Sequence, residues 1–275
     1  MEALRIKLEM PQAHFRKPWA FSIRHTYLVP PFSTVIGLLC NIIGNGEELF
    51  EEDFGLAIFS KFSSMDCEYT WLRNLRVKAH KSKYLSKVNR ELSKNNIEHP
   101  GGQSPVRIFV LNNLEIKLYL FSENNALYNR IRQGLKEPEK WYSHLHLGRS
   151  EDWINLKSVE KVKLKREKYA GKTGFLTWVP SPTEHYHKTE FPDYQKTFQK
   201  LSGRSLIVPE KYEMVEIENT VLRNFNWKKV KILESQLYPI TLTSDRFEYY
   251  LDHEIDNGKV IITPVIFTRI KGEDK

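Results

Sequence analysis

The chain has 275 residues, of which 40% are hydrophobic, and it carries a formal net charge of +8 with a pI of about 9.2. This length allows one large domain or two smaller ones with a buried core, and the basic balance favours a polyanionic partner. The two cysteines, Cys40 and Cys67, exclude a disulfide framework and a zinc cluster, and the longest apolar run, Val35–Cys40, is too short to cross a membrane.

The first predicted elements are a strand, a loop and a helix. Apolar residues alternate with charged ones over residues 4–10, which predicts a strand with one buried face. Because the sequence starts directly in this pattern, we expect no signal peptide and a reduced, cytoplasmic protein. After an ordered loop, Ser33 is the predicted N-cap of a helix whose apolar stripe runs from Val35 to Ile43 before Gly44 ends it.

The following elements complete a β-α-β-β-α-β order. Two apolar runs that flank Asn112 and Asn113 predict a tight hairpin between two strands. The remaining predicted elements are strands at Gly55–Phe62, Glu68–Leu75 and Trp141–Leu147 and a helix at Asn124–Leu135. This order is typical of a ferredoxin-like or RRM domain, which we assign to residues 1–152 and whose sheet is a common RNA platform.

The second half of the chain, residues 153–275, is predicted to be a β-rich C-terminal domain. Its strand candidates are Ile154–Lys165, Thr173–Pro180, Trp227–Leu233, Tyr238–Thr243, Phe247–Leu251 and Val260–Phe267. Pro264 lies in the last of these, which favours an edge strand or a bulge there. The predicted fold class is therefore α+β.

Basic residues are concentrated in two blocks. Nine Lys or Arg and two acids lie between Arg73 and Arg107, and seven and two lie between Asn155 and Lys172. A single run of this kind is usually a solvated face. The first block also lacks apolar periodicity over residues 76–105, which is typical of a functional or a disordered loop.

An aromatic–basic stretch precedes the first helix. Such a mixture offers charges for phosphates and ring faces for bases, although buried core positions are the alternative for the aromatics. The candidates are His14, Phe15, Arg16, Lys17, Trp19, Phe21, Arg24, His25 and Tyr27. Ser33 and Thr34 present amides and hydroxyls at the helix N-terminus, where an anion site and simple capping both remain open.

Catalytic signals are weak. Metal-independent RNA cleavage needs a base for the ribose 2′-OH and an acid for the leaving oxygen. The histidine candidates are His14, His25, His80 beside Lys81, His144 and His146. His144 and His146 are expected to share one face of a strand, and phosphate contact explains His80 and Lys81 equally well. No hydrolase, nucleotide-binding or zinc-protease motif occurs, so we predict no catalytic residue, no metal and no cofactor.

Three motifs resemble the Cas-five family, the CRISPR-associated RAMP proteins of type I interference complexes. They are H-F-R-K-P at 14–18, R-H-T-Y-L-V-P-P-F-S-T-V-I-G-L-L at 24–39 and L-G-R-S-E-D at 147–152. The resemblance covers about the first 150 residues. It implies an RRM-like N-terminal domain with a protruding basic thumb, for which residues 76–105 are the candidate, and a β-rich C-terminal region.

The resemblance also implies a role and a set of partners. The family caps one end of the Cascade effector and holds the 5′ handle of the CRISPR RNA (crRNA). It contacts a backbone subunit of the Cas-seven family and the large subunit, and target DNA near the PAM-proximal end is a further expected contact. One branch of the family cleaves precursor RNA with a Tyr and a Lys-His pair. In this chain His80 and Lys81 have the reverse order, so it resembles the non-cleaving branch, with subtype I-B suggested.

The resulting hypothesis is a non-catalytic crRNA-handle-binding subunit. The alternatives are a metal-independent endoribonuclease that processes pre-crRNA and a protein scaffold whose basic charge is incidental. The predicted RNA-binding residues are His14, Arg16, Lys17, Arg24, His25, Tyr27, Ser33, Thr34, Arg76, Lys78, Lys81, Lys83, Arg107 and Arg149.

Overall fold

A computed structural model gives the structure of the chain. The fold is mixed α/β and consists mostly of β-strands. The structure describes residues 1–19, 23–44, 49, 52–73, 91–92, 97–98, 103–169, 172–187, 189–201, 203–217, 220–232, 240–241, 247–256 and 258–272. The strands of these residues are β1 (Glu2–Ala13), β2 (Ile23–Arg24), β3 (Phe54–Lys61), β4 (Ser64–Arg73), β5 (Glu91–Leu92), β6 (Ile97–Glu98), β7 (Gln103–Phe121), β8 (Asn155–Lys163), β9 (Lys165–Tyr169), β10 (Lys172–Thr173), β11 (Leu176–Pro180), β12 (Arg204–Ile217), β13 (Thr220–Ile232), β14 (Ile240–Thr241), β15 (Phe247–Asp256), β16 (Lys259–Val265) and β17 (Thr268–Ile270).

Three α-helices lie in the described part of the chain, and both long ones follow the sequence prediction. They are α1 (Phe32–Ile43), α2 (Asn125–Gly134) and α3 (Tyr194–Lys200). Gly44 ends α1 in the left-handed conformation, with φ 71°, as its position predicted. Asn124 caps α2 by accepting a hydrogen bond from the backbone N–H of Ala126. None of the described helices is long and apolar enough to span a membrane.

The 19-residue strand β7 organises the main sheet. Its C-terminal half lies between β3 and β1, and β8 pairs with the other edge of β1, so the local order is β3-β7-β1-β8. The sheet continues from β3 through β11 and β13 to β12, while β17 also pairs with β3. All these pairings are antiparallel. Strands from both halves of the sequence therefore share one hydrogen-bonded sheet, whereas the domain division after residue 152 stays a prediction.

The predicted hairpin at Asn112 and Asn113 is wrong, because both residues lie inside the continuous strand β7. β3 pairs with residues 115–121 of β7, and β4 continues in the same register with residues 103–112. Asn113 adopts a φ of 50°, which asparagine tolerates well, at the point where the partner of β7 changes from β3 to β4. The two asparagines thus mark a change of partner and not a reversal of the chain.

The N-terminal half of β7 and the whole of β4 form a long ribbon, which we call the arm (residues 64–73 and 103–112). The arm leads to the predicted thumb at 76–105, of which residues 103–105 belong to β7. Between the two strands of the arm, the structure describes only β5 paired with β6. Arg76, Lys78, Lys81 and Lys83 lie outside the described residues.

The predicted strand at 141–147 is also wrong. These residues form turns and a single bridge between His146 and Trp153, and the fourth strand of the local sheet is β8. The apolar side chains of Leu145 and Leu147 still pack against the core, which explains the alternating pattern that suggested a strand. His144 and His146 lie close together in this turn, with ring centroids 5.3 Å apart.

Both faces of the central strands are buried. One face packs against α1 and α2 in the main hydrophobic core. The other face carries charged residues that attach the three-stranded sheet β16-β15-β9. Arg5 Nη1 donates to Asp252 at 2.6 Å, Tyr119 Oη donates to the same carboxylate at 2.7 Å, and Lys117 Nζ donates to Glu254 at 3.0 Å. Arg5, a charged position of the predicted alternation, is therefore buried in an ion pair, whereas Glu9 at the other end of β1 stays half exposed beside Lys157.

The contact between α1 and α2 predicts the effect of a methyl group. A Cβ at Gly134 would lie 2.2 Å from the carbonyl oxygen of Ile42, a backbone atom that cannot move aside without shifting α1. We expect Gly134→Ala to lower the free energy of unfolding by about 1–3 kcal/mol, measured by urea denaturation.

Gly37→Ala is the matched control, because it adds the same methyl group to α1 where nothing lies within 4 Å. This variant should gain up to about 1 kcal/mol from helix propensity. Equal changes in the two variants would contradict the packing described here.

Candidate nucleic-acid interface

A cleft of about 1340 Å³ runs along the exposed side of α1. Three other parts of the chain border it: the aromatic–basic loop (residues 14–31), the segment 142–149, and the paired strands β12 and β13. The sequence places these parts far apart, and the sheet brings them together. Its charged and polar lining includes His14, Arg16, Arg24, Ser33, Thr34, Arg149 and Lys211.

The aromatic–basic loop folds back on itself as a short antiparallel ladder. The backbone N–H of Lys17 donates to His25 O at 2.9 Å, and that of Tyr27 donates to Phe15 O at 2.7 Å. Phe15 and Tyr27 are each 1% exposed, so they are core residues and not base-stacking surfaces. The same ladder leaves Arg16 and Arg24 at the cleft.

Arg16 and Arg24 give the cleft its clustered positive charge. Burial lowers the pKa of Arg24, and the positive charge of Arg16 lowers it further. The Nε of Arg24 is buried and has no hydrogen-bond partner in the protein. A partly buried guanidinium beside a second guanidinium is electrostatically unfavourable, and an anion in the cleft would relieve this.

The N-terminus of α1 opens into the same cleft, but its cap differs from the prediction. Pro31 occupies the N-cap position, without a side-chain hydrogen bond, and the helix starts at Phe32. Ser33 is therefore the second helical residue, and the prediction that it caps the helix is wrong. The N–H groups of Thr34 and Val35 both donate to Pro31 O, at 3.0 and 3.3 Å. The carbonyl oxygen of Pro31 thus satisfies these two N–H donors. A proline can do this because only its N–H, and not its carbonyl group, is missing.

Asp152 joins the aromatic–basic loop to the segment L-G-R-S-E-D. Its side chain is fully buried, and Oδ2 accepts hydrogen bonds from the backbone N–H of His14 at 2.9 Å and of Arg149 at 2.8 Å. Gly148 allows this approach, since it has a φ of 115° and a Cβ there would lie 2.8 Å from Asp152 Oδ2. One carboxylate thus fixes the relative position of two cleft borders.

Arg149 is held by carboxylates on the cleft wall. Its Nη2 donates to Asp152 Oδ1 at 2.8 Å, and its Nη1 donates to Glu68 Oε2 at 3.0 Å. Burial opposes the charged form, but the hydrogen bonds to Asp152 and then Glu68 outweigh it and raise the pKa of Arg149. Arg149 therefore acts first as a structural cation, in contrast to Arg24.

His14 lies on the cleft wall as a neutral imidazole. Burial lowers its pKa, and the nearby positive charge of Arg149 lowers it further. The hydrogen bond to Phe109 raises the pKa but does not outweigh these two effects. Nδ1 lies 2.8 Å from the carbonyl oxygen of Phe109, so this nitrogen carries the proton. Nε2 is then an acceptor, and it has no partner in the protein. This acceptor is buried behind the cleft surface, so it belongs to the wall of the cleft.

A family model described as CRISPR-associated protein (Cas_Cas5) matches residues 3–195, which include α1, the aromatic–basic loop and the L-G-R-S-E-D segment. The chain belongs to the Cas-five family. The resemblance of its three motifs to this family is thereby confirmed. No curated protein gave a significant sequence match.

Solved structures of CRISPR proteins are similar to this Cas-five chain at low sequence identity. A chain of a CRISPR RNA-guided surveillance complex is 9% identical with a TM-score of 0.49, over 87% of this chain and 90% of that one. A CRISPR protein from Archaeoglobus fulgidus is 14% identical with a TM-score of 0.39, over 96% and 100%. A chain of the type III-B Cmr-beta complex bound to cognate target RNA is 12% identical with a TM-score of 0.39, over 84% of each chain.

The cleft brings together six of the fourteen residues predicted to bind RNA: His14, Arg16, Arg24, Ser33, Thr34 and Arg149. Four others do not line it. Tyr27 is in the core, Lys17 Nζ lies 5.5 Å from the centre of the Tyr27 ring, and His25 and Arg107 lie on the arm side of the loop. The thumb residues lie outside the described part of the chain.

Sequence reasoning missed a fourth side of the cleft. Lys211 and Tyr212 on β12 and Phe225 on β13 line it, although they come far after the loop in the sequence. Pro209 interrupts the alternation of β12, where the pairing register with β13 shifts, so no strand was predicted there. Asn41 was missed as well. Its side chain exchanges two hydrogen bonds with the backbone of Ser143, at 3.0 and 2.9 Å, and fixes the 142–149 segment to α1.

The described residues include no group of three or more His, Cys, Asp or Glu that could hold a metal ion. Glu210 is a buried carboxyl group in the cleft lining, and its burial disfavours the negatively charged form. Burial raises its pKa, although Lys228, whose Nζ lies 3.3 Å from Oε2, acts in the opposite direction. The lining thus combines guanidinium groups, a neutral acceptor and a helix N-terminus.

Removing the Asp152 carboxylate should destabilise the contact between the aromatic–basic loop and the L-G-R-S-E-D segment. Asp152→Ala leaves the backbone N–H groups of His14 and Arg149 without their acceptor and leaves the Arg149 guanidinium with Glu68 in place of two carboxylate partners, so we expect a loss of about 3–5 kcal/mol in the free energy of unfolding. Urea denaturation measures this. Glu151→Ala is the control, because Glu151 is exposed and only 3.4 Å from the same guanidinium, and it should cost less than about 1 kcal/mol. Similar losses in both variants would refute the role given to Asp152.

Proposed function

We propose that the chain is a non-catalytic subunit of a type I CRISPR interference complex, in which the cleft holds the 5′ handle of the CRISPR RNA. Membership of the Cas-five family supports a role beside a CRISPR RNA. The observation that carries the proposal is the pair Arg16 and Arg24, two guanidinium groups held in one cleft beside the start of α1. Phosphates of a single strand would neutralise this charge.

We further propose that the N-terminal part is a ferredoxin-like domain. The elements β1, α1, β3 with β4, β7, α2 and β8 follow each other in the order β-α-β-β-α-β, counting β3 and β4 as one strand. The sheet order β3-β7-β1-β8 corresponds to 2-3-1-4 in that count. Under this proposal the arm is an extension of the central hairpin, and the basic segment beyond it is the thumb.

The proposed partners follow from membership of the Cas-five family. The chain would cap the handle end of the effector, with a Cas-seven-family backbone subunit and the large subunit as protein neighbours. A contact with target DNA near the PAM-proximal end belongs to the same proposal. The thumb would contact the RNA next to the first backbone subunit, as the family resemblance implies.

The non-catalytic role is supported by the state of the histidines. His14 donates Nδ1–H to a backbone carbonyl, and His144 Nε2 lies 2.6 Å from the carbonyl oxygen of Ser150. Both rings are thereby oriented as parts of the structure. Metal-independent cleavage is the second candidate, because Tyr142, His146 and Lys211 line the same cleft and are groups of the type that such cleavage uses.

The phosphate contacts predict a salt effect. Arg16→Ala and Arg24→Ala should each weaken binding of CRISPR repeat RNA about ten-fold at low salt and lower the slope of log affinity against log salt by about 0.7. Fluorescence anisotropy at several salt concentrations measures both, and thermal unfolding shows that the variants fold. Lys196→Ala is the control, because it removes an exposed charge on α3 outside the cleft lining. Salt-independent binding of the unaltered protein would contradict the proposal.

The absence of cleavage is tested separately. Labelled repeat RNA incubated with the purified protein in EDTA should stay intact over hours, because the proposal assigns no general acid or base. A single cut at a defined position that disappears in His146→Ala would overturn the non-catalytic role and support the endoribonuclease. Intact RNA that co-purifies with the protein is the expected result.

A further inference from the structure

One face of the arm exposes aromatic side chains that the cleft does not use. Tyr69 and Trp71 on β4 are 60% and 53% exposed. Their rings meet edge to face, with centroids 5.9 Å apart and an interplanar angle of 87°. Two large aromatics side by side on a free strand surface are unusual in a protein without a partner for them.

Neighbouring strands extend this face. Residues paired across strands project from the same side of a sheet. Tyr69 is paired with Arg107 of β7, and Arg107 is also paired with Ile23 of β2. Two residues further along, the ring of His25 stacks on that of Phe109, with centroids 5.2 Å apart and an angle of 10°. We call this surface the arm platform: Ile23, His25, Tyr69, Trp71, Arg107 and Phe109.

The acidic side chains of β4 lie on the opposite face of the arm from the platform. Asp66 and Glu68 alternate with the platform residues of β4, so they project to the other side. Asp66 accepts a hydrogen bond from Asn112, and Glu68 accepts from Gln12 and Arg149. The platform positions of β2, β4 and β7 therefore carry Arg107 and His25 and no carboxylate.

The aromatic–basic loop connects the platform to the cleft. Arg24 and His25 are consecutive, and neighbouring residues of an extended chain project to opposite sides. Arg24 lines the cleft, whereas His25 stacks on the platform. The loop is thus a ridge with guanidinium groups on one side and exposed rings on the other.

We propose that the arm platform stacks unpaired bases of the RNA strand whose phosphates lie in the cleft; this inference rests on the function proposed above. Tyr69 and Trp71 supply the ring faces, and the Arg107 guanidinium supplies a cation beside them. Stacking of this kind accepts any base and depends little on salt, whereas phosphate contacts depend strongly on salt. The continuity of the platform with the cleft through the consecutive residues Arg24 and His25, together with the cation opposite Tyr69, favours a nucleic-acid strand that contacts both surfaces.

The test uses repeat RNA in which 2-aminopurine replaces one base at a time. Stacking on an aromatic ring quenches its fluorescence, so one or two positions should be quenched by the unaltered protein. Tyr69→Leu and Trp71→Leu should abolish this quenching and weaken binding about ten-fold each, with an unchanged salt slope. Trp71→Phe keeps a ring and should retain most of both signals. Trp153→Leu removes another exposed tryptophan outside the platform and should change neither.

The outcomes separate the two proposals. Suppose that Arg16→Ala and Arg24→Ala lower the salt slope of RNA binding, but both leucine variants bind and quench like the unaltered protein. The proposal for the platform is then refuted, and the proposal for the cleft stands. If the leucine variants keep RNA binding and instead lose co-purification with other effector subunits, the platform binds protein and the inference is overturned. If the unaltered protein binds no RNA, both proposals fall.

Discussion

The carboxylate of Asp152 is the contact on which the geometry of the cleft depends. It is fully buried, and it accepts hydrogen bonds from the backbone of His14 and from both the backbone and the guanidinium of Arg149. The aromatic–basic loop and the L-G-R-S-E-D segment lie more than 100 residues apart in sequence, and this single side chain fixes one against the other. Arg149 then reaches Glu68 on the arm, so the same network also connects the cleft wall to β4.

The network divides the cations of the cleft into two kinds. Arg149 is neutralised by its own carboxylates and holds the structure together, whereas Arg24 is partly buried beside Arg16 and its Nε lacks a protein partner. A ligand with negative charge satisfies the second kind without disturbing the first. The arm platform adds exposed rings on the other side of the loop. One side of the loop therefore carries guanidinium groups for phosphates, and the other side carries ring faces for bases.

The sequence was sufficient where a local pattern decides the structure. The alternation in β1, the stripe and glycine stop of α1, and the apolar spacing of α2 are all local signals, and each element is found where it was predicted. The aromatic–basic stretch was likewise recognised as one unit. Six of the predicted RNA-binding residues lie in a single cleft, because they come from this stretch, the start of α1 and the L-G-R-S-E-D segment.

The failures came from long-range contacts that no local pattern contains. Asn112 and Asn113 suggest a turn, but β3 and β4 pair with β7 in one register and keep it continuous. The charged residues of β1 suggest an exposed face, but Asp252 from the far end of the chain buries Arg5. Tyr27 belongs to a motif rich in contact residues, yet its ring packs against Trp178 at 6.0 Å. Lys211 enters the cleft only because β12 pairs with β13.

Photo-crosslinking of 4-thiouridine-labelled repeat RNA, followed by mass spectrometry of the attached peptides, would locate the RNA on the protein. We expect crosslinks to the loop at 14–31, to the 142–149 segment and to β4 of the arm, all from one RNA strand. Crosslinks confined to the sheet β16-β15-β9, which covers the opposite face of the central strands, would contradict this expectation.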